Sequence, residues 1–154
     1  MKHNGWRKPT PGLVVAEKHA QAGERLSIPK SKATTAAKRV AAAIGLQAQD
    51  LLLLDTFSAF TQPQDWEQGR RPIVWASNNF LMEQTGFSLS TLRRHVRRLA
   101  ELGLIWIKDS PNGKRYGHRD EDGVIIEAYG FDLAPLAARA EEFEALYAQL
   151  KEER

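Results

Sequence analysis

Cysteine is absent from the 154-residue sequence, which excludes disulfides and thiolate metal sites and makes a reducing cytoplasm the expected location. No apolar run approaches the length of a membrane span, and the N-terminus lacks the apolar core of a signal peptide, so we expect no membrane partner. The P-loop patterns GxxxxGKS and GxxxxGKT are also missing, which excludes ATP-driven work by such a loop.

Catalytic chemistry finds little support in the sequence. The four histidines are scattered, and none has a carboxylate at metal-ligand spacing, so we expect no metal site and no cofactor. Tyr116 and Tyr129 with His118 could belong to a nicking enzyme with a tyrosine nucleophile, but such an enzyme also needs a clustered metal site. We therefore interpret these tyrosines as structural and expect no enzymatic activity.

Charge is unevenly distributed although the net charge is only +3. Residues 88–119 hold eight basic side chains against two acidic ones, whereas residues 134–154 hold three basic side chains against five acidic ones. A basic centre beside an acidic tail is typical of a nucleic-acid-binding face set apart from a solvated or partner-binding helix. The length suits one domain, and 42% hydrophobic residues are enough for a core.

The segment from Ser77 to Asp109 organises the chain, and its pattern predicts a helix, a tight turn, a longer helix and a strand. Ser77 can cap the first helix, which we expect to end at Gly86 and to bury Phe80 and Leu81. The second helix should follow the capping residue Ser88 and end at Gly103.

The second helix is amphipathic. Its apolar residues recur at steps of three and four, which places them in one stripe: Leu89, Leu92, Val96, Leu99 and Leu102. On a helical wheel the opposite side carries Ser90, Thr91, Arg94, Arg97 and Arg98, with Arg93 and His95 on the flanks. This basic face either is a solvated face on a core helix or belongs to a helix that enters the DNA major groove. The β elements that follow the helix favour DNA binding.

Those β elements predict a wing. Leu104–Ile107 should form a strand, and the Pro-Asn-Gly sequence at 111–113 should form a turn before the basic residues 114–119. Residues 124–131 should return as a strand, and Ile73–Trp75 should be the first strand of the same sheet. Whether residues 114–117 form a strand or stay irregular is open.

The predicted fold is mostly α with a small antiparallel β-wing, a winged helix-turn-helix with extra N-terminal helices and a C-terminal helix. Residues 1–9 are expected to form a basic flexible arm, and residues 10–134 to form the DNA-binding domain. Within that domain we expect helices at 11–22, 32–44 and 47–61, the last being the buried scaffold helix, and a loop at 62–72. The loop either touches DNA or, as we favour, is structural, with Trp66 as its anchor.

Residues 135–154 are expected to form a C-terminal amphipathic helix. Its apolar seam resembles a short coiled-coil face: Leu136, Ala140, Phe143, Tyr147 and Leu150. The seam either joins two copies or packs on its own domain, and the sequence favours neither. We expect a monomer in solution that dimerises on DNA, because two heptads are short for a stable coiled coil.

The candidate DNA-binding residues come from both helices and the wing. They are Ser77, Asn78, Ser88, Ser90, Thr91, Arg93, Arg94, His95, Arg97, Arg98, Asn112, Lys114, Arg115 and Tyr116. Arginine is expected to read guanine and phosphate through its planar fork, and the wing residues are expected to reach a flanking phosphate or the minor groove.

Several strings resemble a known family across nearly the whole chain. The longest are AFTQPQDWEQG at 59–69, KDSPNGKRYG at 108–117 and EAYGFDL at 127–133, and shorter ones lie at 5–8, 10–13 and 71–75. They are similar to RepC-type replication initiators of repABC plasmids, and the chain resembles the N-terminal domain of these longer proteins. The arginine-rich helix lies outside the matching strings, so its role rests on the helical wheel.

The resemblance implies an origin-binding protein that initiates replication of large low-copy plasmids in alphaproteobacteria, with the origin inside its own coding region. It implies duplex DNA as the partner, and host replication proteins as partners of a C-terminal part that this chain lacks. The alternative is a winged-helix transcription regulator, which should prefer a promoter.

Overall fold

The structure, a computed structural model, describes residues 10–153, so the predicted arm at 1–9 lies outside the described part. Seven helices run from the N-terminus to the C-terminus of this part: α1 (Pro11–Glu24), α2 (Lys30–Arg39), α3 (Ala48–Ala59), α4 (Asn78–Thr85), α5 (Leu89–Glu101), α6 (Ala134–Ala138) and α7 (Ala140–Glu152). Five short strands accompany them: β1 (Ile73–Val74), β2 (Trp106–Ile107), β3 (Tyr116–Arg119), β4 (Ile125–Tyr129) and β5 (Phe131–Asp132). The predicted mostly α fold with a small antiparallel β-wing is confirmed.

The N-terminal helices begin near their predicted starts. Thr10 caps α1 by accepting from the Leu13 N–H at 3.2 Å. Helix α2 begins two residues earlier than predicted, where the Lys30 ammonium donates to the Ser58 and Thr61 carbonyls of the α3 end. Its predicted end at Ile44 is wrong, because Val40 leaves the helical conformation and residues 40–45 form turns.

Helix α3 is the buried scaffold that the sequence predicted. Leu53, Leu54 and Phe57 are all 1% exposed or less, and the Phe57 ring stacks on Phe131 of β5 at 4.8 Å between centroids. Full burial of such side chains contributes about 1.5–3 kcal/mol each to stability. The contact between Phe57 and Phe131 joins the helical layer to the sheet.

A three-residue turn connects α4 to α5. Ser77 and Ser88 cap the two helices as predicted, and Gly86 adopts the left-handed conformation (φ 76°) that ends α4. Leu81 is buried, but the prediction that Phe80 is buried is wrong, since it is 40% exposed. The eight-residue α4 makes only about two turns and directs a narrow stripe into the core, which Leu81 occupies.

The strands form two small antiparallel sheets. One has the order β1-β5-β2, and the other is the β3-β4 hairpin. The hairpin follows β2 through residues 108–115, and pairing begins at Tyr116↔Tyr129, so Lys114 and Arg115 are irregular. The predicted strand 124–131 is interrupted at Gly130, which lies so close to the Val74 carbonyl that a Cβ would come within 2.1 Å of its oxygen.

The polar loop at 62–72 is structural in its described contacts. Residues 63–66 form a 3-10 turn, and Trp66 is 4% exposed with its indole N–H donating to the Thr61 hydroxyl at 3.0 Å. Asp65 accepts from both terminal nitrogens of Arg119 on β3, at 2.7 and 2.8 Å. The loop therefore anchors the β3-β4 hairpin to the helical layer, and the predicted anchor role of Trp66 is confirmed.

The C-terminal segment forms two helices where the sequence predicted one. Its seam packs on its own chain: Leu136, Ala140 and Phe143 are 0% exposed, and Tyr147 packs beside Arg39 of α2, 5.1 Å from guanidinium carbon to ring centroid. The structure thus has the intramolecular alternative, but the main neighbours are α1 for α6 and α2 for α7, not the scaffold helix. Within residues 10–153, no helix is both long enough and apolar enough to cross a bilayer.

Candidate nucleic-acid interface

The outward side of α5 carries a row of polar side chains, of which Ser90 and Thr91 contact the Ser88 hydroxyl at 3.3 and 3.0 Å. Ser90, Arg93, Arg94 and Arg97 are exposed, and Thr91 is half-buried. Within the described residues, no acceptor contacts the guanidinium groups of Arg93, Arg94 or Arg97. Three unpaired guanidinium groups within five positions leave strong donors available to an anionic ligand.

His95 does not belong to this exposed side, and its predicted DNA contact is corrected. The side chain is 0% exposed and lies between α5 and α3, where Nδ1 is 2.6 Å from Asp50 Oδ1 and Nε2 is 3.0 Å from Gln49 Oε1. The helical wheel placed His95 on a flank of α5. That flank packs against α3, where the buried Asp50 carboxylate is the hydrogen-bond partner that a buried imidazole needs. A ring enclosed in this way cannot touch DNA in this conformation.

Arg98 also turns towards the protein. Its Nε lies 3.1 Å and its Nη2 3.0 Å from Asp50 Oδ2, and Nη2 also donates to the Gly45 carbonyl at 2.8 Å. Its side chain is 32% exposed. Arg98 therefore holds α5 on α3, and in this conformation its guanidinium is not available for the predicted base contact.

Asp50 is the centre of this network. Besides His95 and Arg98 it accepts the Gln47 backbone N–H at 2.8 Å, which closes the start of α3. Burial alone would raise the pKa of the Asp50 carboxyl, but the hydrogen bonds from Arg98, His95 and Gln47 outweigh it, and the pKa lies below its ordinary value. The carboxylate stays charged at neutral pH and fixes the orientation of α5.

The helix N-termini use several candidate residues as caps. Ser77 Oγ accepts the Phe80 N–H at 3.2 Å, and Ser88 Oγ accepts the Thr91 N–H at 3.2 Å. Asn78 Oδ1 accepts from the Arg115 guanidinium, which links the first turn of α4 to the wing. These three side chains thus have structural partners, although all of them remain at least partly accessible.

The wing candidates divide into inward and outward residues. Arg115 is half-buried: Nε donates to the Ala76 carbonyl at 2.9 Å, and the guanidinium lies over the Phe131 ring at 4.7 Å. This burial lowers the pKa of Arg115. Lys114 is exposed, and within residues 10–153 no carboxylate pairs with its ammonium. Arg115 therefore fastens the loop, and Lys114 stays exposed on it.

Asn112 and Tyr116 are engaged within the wing. Asn112 Oδ1 accepts from the Lys114 N–H at 3.1 Å and from the Ser110 hydroxyl at 2.8 Å, which shapes the turn. The Tyr116 hydroxyl donates to Glu127 Oε1 at 2.6 Å, and this bond, with some burial, raises the pKa of Tyr116 to about 12. The hydroxyl remains protonated at neutral pH, as expected of a structural tyrosine.

The fold brings the two helices and the wing loop together. One cleft is lined jointly by Asn78 of α4, Val96 of α5 and Lys114 of the wing loop. We call Arg93, Arg94, Arg97 and Lys114 the basic surface. The residue that sequence analysis missed is Asp50; its position three residues after Gln47 is a capping-box spacing that could have indicated it.

The described residues thus form a mostly α domain that presents a basic helix beside a β-wing. The chain belongs to the family of replication protein C N-terminal domains, whose family model matches residues 7–154. The family resemblance of the sequence strings is thereby confirmed. Among the described residues, no group of three or more histidine, aspartate or glutamate side chains could hold a metal ion.

Two relatives carry the same provisional name, replication protein C. One from Sinorhizobium fredii is 36% identical over 152 residues, which is 97% of this chain and 38% of the relative. One from Rhizobium rhizogenes is 42% identical over 112 residues, which is 72% of this chain and 28% of the relative. The chain thus spans well under half the length of either relative. No solved structure matches it.

Proposed function

We propose that this chain is the DNA-binding domain of a plasmid replication initiator and binds duplex origin DNA through a winged helix-turn-helix. Helices α4 and α5 form the helix-turn-helix in this proposal, and β2 to β5 with the loop 108–115 form the wing. The observation that carries the proposal is the basic surface: three arginines on α5 and Lys114 of the wing loop, all exposed and without an ion-pair partner among residues 10–153.

The geometry suits major-groove binding. A recognition helix contacts base edges with its N-terminal half, and Ser90, Thr91, Arg93 and Arg94 occupy that half of α5. Arg97 lies one turn further along, where a phosphate contact is expected. The inward ties of His95 and Arg98 to Asp50 hold the helix so that its outer side remains free.

The role in replication initiation rests on the family. The chain covers only part of its relatives' length, so host replication proteins are proposed as partners of the segment beyond it. Binding, not catalysis, is the proposed activity of the domain. We further propose two copies per site, with recognition helices about 34 Å apart along the duplex or a multiple of that.

Footprinting tests this function and separates it from transcription regulation. Fragments covering the protein's own coding sequence and its upstream promoter are probed with the wild-type chain. An initiator should protect a segment of the coding sequence, whereas a regulator should protect the promoter. The control is a variant with Arg93, Arg94 and Arg97 changed to glutamine, which keeps the Asp50 network and should lose protection. Protection that this variant retains would contradict the assignment of α5.

A further inference from the structure

An aromatic groove opens beside the basic surface. It lies between the end of α3, β1 and the first turn of α4, and its aromatic walls are Phe60, Trp75 and Phe80. Phe80 is 40% exposed, and Phe60 and Trp75 are half-buried. Leaving 40% of the Phe80 side chain in water forgoes part of the about 1.5–3 kcal/mol that full burial would contribute. We call this site the aromatic groove.

The rings of the groove are held in place by contacts with one another and with their neighbours. Phe80 and Phe60 meet edge to face, with centroids 5.3 Å apart and planes at 63°. The Trp75 ring packs against Gly117, where a Cβ would come within 2.6 Å of it, and the Arg119 guanidinium, which also lines the groove, lies 5.6 Å from its centroid. Arg119 is itself fixed by Asp65, so the groove presents prearranged ring surfaces.

A polar groove continues from the aromatic groove. Trp75 and Ser77 line both, and the polar part adds Asn79 and the exposed Lys114. Ring surfaces for a base thus adjoin a cation and amide groups for a phosphate. This is the combination with which proteins bind single strands, because bases stack on aromatic rings while cations follow the backbone.

We infer that the aromatic groove binds unpaired bases of single-stranded DNA, with the adjoining phosphate held at Lys114. The inference rests on the proposed function, since it places this site beside the duplex-binding helix. An apolar protein segment would fill the rings but would leave the cationic half without a partner, so a nucleotide strand satisfies both halves better. The groove gives the initiator a means to hold one strand where the duplex opens, without a P-loop in the chain.

Fluorescence anisotropy with a labelled twelve-nucleotide thymidine oligomer tests the inference on the complete chain. Phe80→Ala should weaken binding of this oligomer about tenfold, as for the loss of one stacked base, and Phe80→Trp should restore it. Leu52→Ala is the matched control, because Leu52 is 43% exposed on α3 and does not line the groove. Affinity for a duplex site should stay within about twofold in all three variants. An oligomer with 5-iododeoxyuridine should crosslink to a peptide that contains Trp75 or Phe80.

The outcomes separate this inference from the proposed function. If the wild type binds the duplex but not the oligomer, the inference fails and the proposed function stands. If Phe80→Ala weakens duplex and oligomer equally, or if only Arg94→Ala weakens the oligomer, the groove is no separate site. If Phe80→Ala leaves oligomer binding intact but turns a dimer into a monomer by light scattering, the groove joins two copies and the inference is overturned. If the wild type binds neither the duplex nor the oligomer, both the inference and the proposed function are overturned.

Discussion

Arginine side chains of one helix have two different roles in this protein. Arg93, Arg94 and Arg97 point outward without a partner among the described residues, while Arg98 pairs with the buried Asp50. The same division separates Lys114 from Arg115 in the wing. A substitution at an outward cation should change DNA binding, whereas one at an inward cation should change stability first.

Arg94→Ala tests the outward role. Loss of one good base contact should weaken binding to a specific duplex by about 1–3 kcal/mol and relax discrimination at one base pair. Anisotropy on the specific duplex measures the change, and Arg25→Ala on the exposed end of α1 removes the same charge as a control. Unchanged affinity with an intact circular dichroism spectrum would exclude Arg94 from the interface.

Asp132 gives stability a measurable pH dependence. The carboxyl is fully buried, and burial raises its pKa to about 6 despite the Ala134 N–H and Arg71 nearby. Because this pKa exceeds the unfolded value, the folded state binds the proton more tightly, and its contribution to the free energy of unfolding increases as the pH falls through 6.

The comparison with Asp132→Asn isolates that contribution from the histidines. The free energy of unfolding in urea is measured for the wild type and the variant. The difference, wild type minus variant, should rise by about 1 kcal/mol from pH 7 to pH 5. A difference that stays constant over this interval would mean that Asp132 is ionised throughout.

At the scale of elements, the wing loop is held against the domain at Arg115 and exposed at the neighbouring Lys114. The Arg115 contacts with Ala76 and Asn78 hold the loop beside α4, and this leaves the Lys114 ammonium at the surface. The loop can therefore present a cation in a fixed position, which lowers the entropic cost of a phosphate contact.

Lys114→Ala should flatten the salt dependence of binding. One phosphate contact fewer lowers the magnitude of the slope of log affinity against log salt by about 0.9, on specific and random duplexes alike. Lys18→Ala, an exposed lysine on α1, serves as the control and should keep the wild-type slope. A wild-type slope in Lys114→Ala would show that the wing does not touch the backbone.

Most element positions followed from local signals, but some side-chain directions did not. Capping serines, glycines with positive φ and the three-four periodicity located α4 and α5. The inward turn of His95 could not be predicted, because it depends on Asp50, which is 45 residues away in the sequence. Periodicity likewise could not show that Phe80 stays exposed, since the short α4 lacks enough turns to define its buried face.

At the scale of the whole molecule, the C-terminal seam is part of the core. Phe143 is 0% exposed and lies 4.6 Å from the Arg139 guanidinium, while α7 packs on α2. A seam used in this way is not available to join two copies, so any contact between copies on DNA must use another surface.

Phe143→Ala should therefore lower stability without changing the molecular mass in solution. Truncation of a fully buried phenylalanine costs about 3–5 kcal/mol, which urea unfolding measures. Light scattering at micromolar concentration should give one protomer for the wild type and for the variant. A wild-type dimer that Phe143→Ala dissociates, with little loss of stability, would contradict the intramolecular packing.

The proposed function requires that α5 enters the major groove of a specific duplex. Because the chain has no cysteine, Ser90→Cys introduces a single thiol at the N-terminal end of α5, and an iron chelate attached there cleaves DNA nearby with hydroxyl radicals. Gln149→Cys on the exposed side of α7 is the matched control. Entry of α5 into the groove should give cuts from position 90 inside the footprinted segment and none from position 149. Cuts from position 149 with none from position 90 would contradict it.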